Sequence, residues 1–245
     1  MPTPRINLFC LPYAGGGAAI YREWKCRLPD WIELIPLHLP GRGLRYSEPP
    51  VYDWPSLVDL LLKDMQRSPL RPFAIFGHSM GALVGVELAC AIRDHDGREP
   101  IWLGASGCAA PNRHKQDGDW LHCSDETLVK ELRSRNGTPA ALLENRELLE
   151  LALPAIRADF HLCGTYKTTQ RRPLGCPILV LVGAQDAMST SRENLADWSL
   201  LTSRQCRVET LPGDHFFIDK ERERVVALVV GSLNAALSEV MVADA

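Results

Sequence analysis

Phe73-Ala74-Ile75-Phe76-Gly77-His78-Ser79-Met80-Gly81-Ala82-Leu83-Val84-Gly85 is the stretch whose reading decides the fold. It is a short apolar strand, then GxSxG, then a helix. In a nucleophile elbow the serine sits on a strained turn between strand and helix, so that its hydroxyl projects above the sheet. The positions two before and two after must be glycine, because side chains there would collide. Gly77 and Gly81 fill them. GxSxG by itself is common, and a small-residue turn packing a helix on a strand would also explain it. The apolar run before it and the helical pattern after it favour a nucleophilic Ser79.

Outward from this elbow, short β-rich runs recur at Ile6 to Leu11, Ile32 to Leu37, Phe73 to Phe76, Ile101 to Ala105, Ile178 to Val182 and Arg207 to Leu211. Helical spacing appears between them, at Ala18 to Arg27, Ser56 to Gln66, Met80 to Arg93, Arg192 to Leu201 and Arg222 to Leu237. This alternation predicts a mostly parallel central sheet flanked by helices, and with the nucleophile elbow already located the expected fold is that of an α/β-hydrolase. The strands are apolar almost without interruption, as expected when both faces are covered. One region breaks the rhythm. From about Gln116 to Tyr166 helical stretches follow one another (Glu126 to Arg133, Pro139 to Leu153, Pro154 to Tyr166), which is read as a helical lid inserted between two strands.

The whole chain, residues 1–245, is expected to form a single domain, since 46% hydrophobic content over that length suffices for one core. A net charge of −3 with no long Lys/Arg block argues against a nucleic-acid partner. No apolar stretch approaches the roughly 20 residues needed to span a bilayer, so no membrane partner is expected. The N-terminus lacks the pattern of a secretory signal, and the eight cysteines contain no CxxC pair. Reduced thiols, a cytoplasmic location, a monomer and no metal are the resulting expectations.

A serine hydroxyl needs a base, and of the seven histidines only His215 follows the last strand pattern, in Leu211-Pro212-Gly213-Asp214-His215-Phe216-Phe217. His78 is expected to point away from Ser79 across the elbow, and His95 and His114 to lie in surface loops. The orienting carboxylate should follow a strand lying between serine and histidine in the chain. Asp186 fits, just after Ile178 to Val182; Asp214 reads as a turn former, and Asp125 and Asp159 as lid residues. Two amides should hold an oxyanion. Met80 follows the nucleophile, and Ala14 is chosen from the early loop Leu11-Pro12-Tyr13-Ala14-Gly15-Gly16-Gly17. A phosphate loop is the competing reading of those glycines, but GxGxxG would need glycine at Ile20 and no GxxxxGK exists.

With these residues in place, the chain resembles the type II thioesterases that accompany nonribosomal peptide and polyketide synthases, related to the fatty-acid chain-releasing thioesterases. The likeness rests on five blocks in order: Leu8 to Gly16, Leu39-Pro40-Gly41-Arg42, Phe76 to Ala82, Leu153 to Phe160 and Leu211 to Phe217. It implies a Ser79, Asp186, His215 triad, oxyanion amides at Ala14 and Met80, and no cofactor. It also implies hydrolysis of aberrant or stalled acyl groups from the phosphopantetheine arm of an acyl- or peptidyl-carrier protein. Many relatives carry proline after the triad aspartate where this chain has Ala187, which leaves the shape of that loop open. Tyr13, Met80, Leu153 and Phe160 are candidate pocket walls, and Arg22, Lys25, Arg42 and Arg45 candidates for docking an acidic carrier. The rival readings are a chain-releasing thioesterase, a carboxylesterase acting on free small-molecule esters, and an inactive carrier-binding relative.

Overall fold

The computed structural model describes residues 6–118, 120–135, 140–186 and 191–243. Six strands, β1 (Ile6–Leu11), β2 (Ile32–Pro36), β3 (Phe73–His78), β4 (Trp102–Ser106), β5 (Ile178–Gly183) and β6 (Cys206–Leu211), form one sheet in the order β2-β1-β3-β4-β5-β6. Every neighbouring pair is parallel. The arrangement is an α/β-hydrolase fold.

Alternate residues of the strands enter two separate cores. Phe9 and Leu11 of β1 and Phe73 and Ile75 of β3 pack on one face, with α1 (Trp54–Gln66) and α2 (Met80–Asp96). Ile6, Leu8 and Cys10 of β1 and Ala74 and Phe76 of β3 pack on the other, against Val225, Val229 and Leu233 of the C-terminal helix. Strands buried on both faces have no polar side to show, and this explains their continuous apolar composition.

The register aligns the carboxyl ends of the strands. Leu11 pairs with Gly77, His78 with Ser106 and Gly183 with Leu211, so the segments that follow all emerge at one edge of the sheet. Ligands of open parallel sheets bind at this edge.

Outside the insertion, two helices expected from the sequence differ. The segment expected as a helix from Ala18 to Arg27 is a 3-10 helix over Ala18–Trp24. Its two buried residues, Tyr21 and Trp24, are three apart, and a three-residue turn stacks them on one side, where both rings meet Phe76. The stretch Arg192 to Leu201 divides into an α-helix over Arg192–Ala196 and a 3-10 helix over Asp197–Leu201.

The insertion contains α3 (Asp125–Arg135), α4 (Ala140–Glu144) and α5 (Arg146–Thr165). Pro154 starts no helix, contrary to the sequence reading; it lies inside α5. An interior proline costs about 3 kcal/mol. Here Leu149, Leu153, Ile156 and Phe160 form one stripe across it, packed against Leu128 and Leu132 of α3, and that shared burial offsets the cost. The last helices are α6 (Arg192–Ala196), α7 (Phe217–Lys220) and α8 (Arg222–Ala243). Among the described residues no helix is long and apolar enough to cross a membrane.

Candidate active site

Ser79 joins β3 to α2 with φ 55° and ψ −118°, and among the described residues it is the only non-glycine with positive φ. Such a conformation costs on the order of 1–3 kcal/mol and persists only where its surroundings impose it. They do. A Cβ on Gly77 would lie 2.0 Å from the Gly81 carbonyl oxygen, and one on Gly81 would lie 2.3 Å from that of Leu11. Both glycines of the motif are therefore demanded by close backbone approach. α2 starts at Met80, so the positive end of its dipole faces the serine.

The structure brings Ser79, His215 and Asp186 into one hydrogen-bonded chain, although serine and histidine are 136 positions apart. His215 Nε2 is 2.9 Å from Ser79 Oγ, and His215 Nδ1 is 2.8 Å from Asp186 Oδ2. With a neutral imidazole, the carboxylate can accept only from Nδ1–H, which leaves Nε2 free to accept the serine proton. Asp186 is buried and His215 is partly open to solvent.

The loops carrying these two residues are tied together. Ala184 N–H donates to the Leu211 carbonyl and Gln185 N–H to that of Gly213, while Gly213 N–H donates to Gln185 Oε1 at 2.6 Å. Ala187 lies outside the described residues. Asp214 caps its own turn, accepting from Phe216 N–H and pairing with Lys220, in agreement with its reading as a turn former.

Ala14 and Met80 line the same cavity as Ser79. Gly16 N–H donates to the Tyr13 carbonyl and closes a turn around Ala14 and Gly15, whose φ of 77° requires glycine. The Ala14 amide has no acceptor among the described residues. An amide so placed is free to donate to a substrate oxygen.

The cavity, of about 620 Å³, is walled by Tyr13, Met80, Leu83, Cys108, Leu132 and Phe160. Leu153, expected as a fourth wall beside Tyr13, Met80 and Phe160, packs into the cluster between α3 and α5 instead. Burial pushes the Cys108 thiol up to about 12 and raises that of Cys163, so the two thiols at the cavity stay protonated. Among the described residues no group of His, Cys, Asp and Glu has a metal-binding arrangement.

Four residues take places the sequence did not reveal. His78 does not bond Ser79, yet it does not simply turn away. Its Nδ1 is 2.8 Å from Ser106 Oγ and its ring lies 5.2 Å from that of His215. Burial first, and then repulsion from His215, pushes its pKa down to about 3. His95 does lie exposed, at the end of α2, but His114 bonds the Cys163 carbonyl inside the cavity. Arg42 is not the free surface cation expected of a docking residue: it forms a bidentate ion pair with Asp159 of α5, with only 15% of its side chain exposed. Arg45 is likewise engaged, with Glu48 and Asp64. Asp125 pairs with Arg157.

A family profile described as "Thioesterase domain" matches residues 6–233. The chain is 37% identical over 234 residues to the Gramicidin S biosynthesis protein GrsT of Aneurinibacillus migulanus, covering 96% of this chain and 91% of that one. It is 40% identical over 235 residues to a protein named linear gramicidin dehydrogenase LgrE, of Brevibacillus parabrevis, covering 95% and 89%. Among solved structures, the type II thioesterase BorB from the borrelidin biosynthetic cluster superposes with a TM-score of 0.85 at 35% identity, covering 95% and 94%.

Proposed function

The chain belongs to the thioesterase domain family, and from that premise we propose that it is an editing, type II thioesterase. It frees the phosphopantetheine arms of acyl- or peptidyl-carrier proteins from aberrant or stalled acyl groups. The observation that carries the reading is the unbroken chain from Ser79 Oγ through His215 to the buried Asp186, at the edge of a cavity of acyl dimensions. The relatives' association with gramicidin S and borrelidin biosynthesis supports the carrier-bound substrate.

In this reading Ser79 Oγ attacks the thioester carbonyl while His215 Nε2 takes its proton. Asp186 stabilises the imidazolium, and the Met80 and Ala14 amides hold the negative oxygen of the tetrahedral intermediate. The intermediate collapses by breaking the C–S bond, and His215 returns the proton to the departing sulfur. A free thiol has a pKa near 8.5, so expelling it is easy and the attack is the demanding step. Water, deprotonated by the same His215, then attacks the Ser79 ester; the acyl–Oγ bond breaks, His215 returns the proton to Ser79 Oγ, and the acid is released. Apart from that water, every group in the cycle belongs to the protein or the substrate.

The dehydrogenase name of one relative does not transfer readily. The glycine loop after β1 has Ile20 where a dinucleotide fingerprint needs glycine, and a 3-10 helix follows it in place of a phosphate-binding α-helix.

The test compares hydrolysis of an acyl-phosphopantetheinyl carrier protein, the matching free thioester and the matching oxygen ester, by wild type and Ser79→Ala. Fastest cleavage of the carrier-bound thioester, lost in the variant, is expected. Preference for the oxygen ester would favour a carboxylesterase, and preference for long finished chains would favour chain release.

A further inference from the structure

The loop that offers the Ala14 amide is held from outside the sheet. Gly15 N–H donates to Asp159 Oδ2 at 2.7 Å. Arg42 Nη2 donates to the other carboxylate oxygen at 2.7 Å, Nη1 bonds Oδ2, and the same Nη1 donates to the Gly16 carbonyl at 3.0 Å. Asp159 is buried, and among the described residues the hydrogen bonds of Asp159 and Arg42 do not run to Ser79 or His215. The pair thus joins three segments distant in sequence: the loop after β1, the loop after β2, and α5 of the insertion.

We propose that Asp159, locked by Arg42, is a positioning residue that fixes the oxyanion loop, and this inference rests on the triad reading above. The argument is one of peptide planes. The Tyr13 carbonyl and the Ala14 N–H belong to one peptide unit, so the bond from Gly16 N–H to that carbonyl sets the direction in which the Ala14 N–H points. That bond survives in either orientation of the turn's central peptide, so it does not fix the loop by itself. The weak point of such a turn is its central peptide, here Ala14 to Gly15, which interconverts between two turn types by flipping. Glycine at the third position makes the flip easy. The Gly15 N–H belongs to that central peptide, and its bond to a buried carboxylate holds it in one orientation. Arg42 in turn neutralises the carboxylate, fixes its rotation bidentately and grips the next carbonyl in the loop. An ordinary packing role would leave the Gly15 amide indifferent to which side chain lay above it. A buried carboxylate costs too much for that without a specific partner set.

The variants are Asp159→Asn, which weakens the grip on Arg42, and the double replacement Arg42→Met with Asp159→Leu, which removes both charges and keeps apolar volume so that folding survives. Each is compared with wild type for kcat and KM on an acyl thioester, for the pH profile of kcat/KM, and for the rate at which a fluorophosphonate labels Ser79. The phosphoryl oxygen of that probe occupies the oxyanion position, so its labelling rate reads the loop without any thioester. Loss of aim at one oxyanion donor should lower kcat and the labelling rate together, about 10- to 100-fold, with KM within about twofold and the pH profile unmoved. A folded double variant that labels at the wild-type rate would overturn the proposal, and so would a rise in KM at constant kcat. Should the wild type label but cleave no thioester, the thioester reading alone fails and the labelling ratio still decides the role of Asp159.

Discussion

The imidazole of His78 lies 5.2 Å from that of His215, fully buried and uncharged, between the base and the end of β4. Folding holds its pKa near 3 against an ordinary value of 6.5. Between those values the unfolded chain binds a proton that the native chain refuses. Stability therefore rises with pH through this window, is free of the penalty above about 6.5, and carries it in full below about 3. At pH 5 the penalty is about 2 kcal/mol. In His78→Gln the difference in urea-unfolding free energy between pH 7 and pH 5 should shrink by about that amount. An unchanged difference would mean that other groups govern the acid limb.

Asp186→Asn should leave the fold intact and lower kcat by about 10⁴-fold, because an amide can donate to His215 Nδ1 and so favour the wrong tautomer. Steady-state kinetics beside a thermal melt make the check: a drop below tenfold would transfer the orienting role to another acid.

The backbone of Ser79 yields a stability test independent of any substrate. Ser79→Gly should be more stable than Ser79→Ala by about 1 kcal/mol, since glycine accepts φ 55° without the penalty and gives back part of the gain as unfolded-state entropy. Both should be inactive. Equal melting temperatures would show that the elbow is not strained.

Cys108 and Cys163 line the cavity but are held as thiols by burial. Iodoacetamide at pH 8 should leave hydrolysis unchanged while it modifies the exposed Cys26 within minutes. Mass spectrometry beside the activity assay reads both, and inhibition that tracks alkylation of Cys108 would bring a thiol into the chemistry.

The sheet and the chain order of serine, acid and base were legible because each is written locally: apolar runs for doubly covered strands, two glycines for the close approach at Gly77 and Gly81, and a loop position after a strand for Asp186 and His215. What escaped depends on partners remote in sequence. Arg42 reads as a surface cation until Asp159, 117 positions on, is brought to it. Pro154 reads as a helix start until α3 supplies the apolar surface that lets α5 run through it. His78 reads as a bystander until Ser106 fixes its ring. The Ala18–Trp24 segment shows both kinds: its apolar residues were visible, but the three-residue turn that sets Tyr21 and Trp24 on one side goes with their packing on the Phe76 ring.

The base, finally, hangs from the margin of the sheet. Among the described residues β6 pairs with β5 alone, and five of its six residues, Cys206 to Thr210, are half-buried or exposed, whereas all six of β5 are buried. A strand with one ladder and little apolar cover opens at lower free energy than the centre. In rising urea, then, the enzyme should fall silent before its circular dichroism changes, as β6 peels off and carries His215 away from a Ser79 still seated on an intact β3. Its working lifetime is set at an edge, while its melting point is set in the middle.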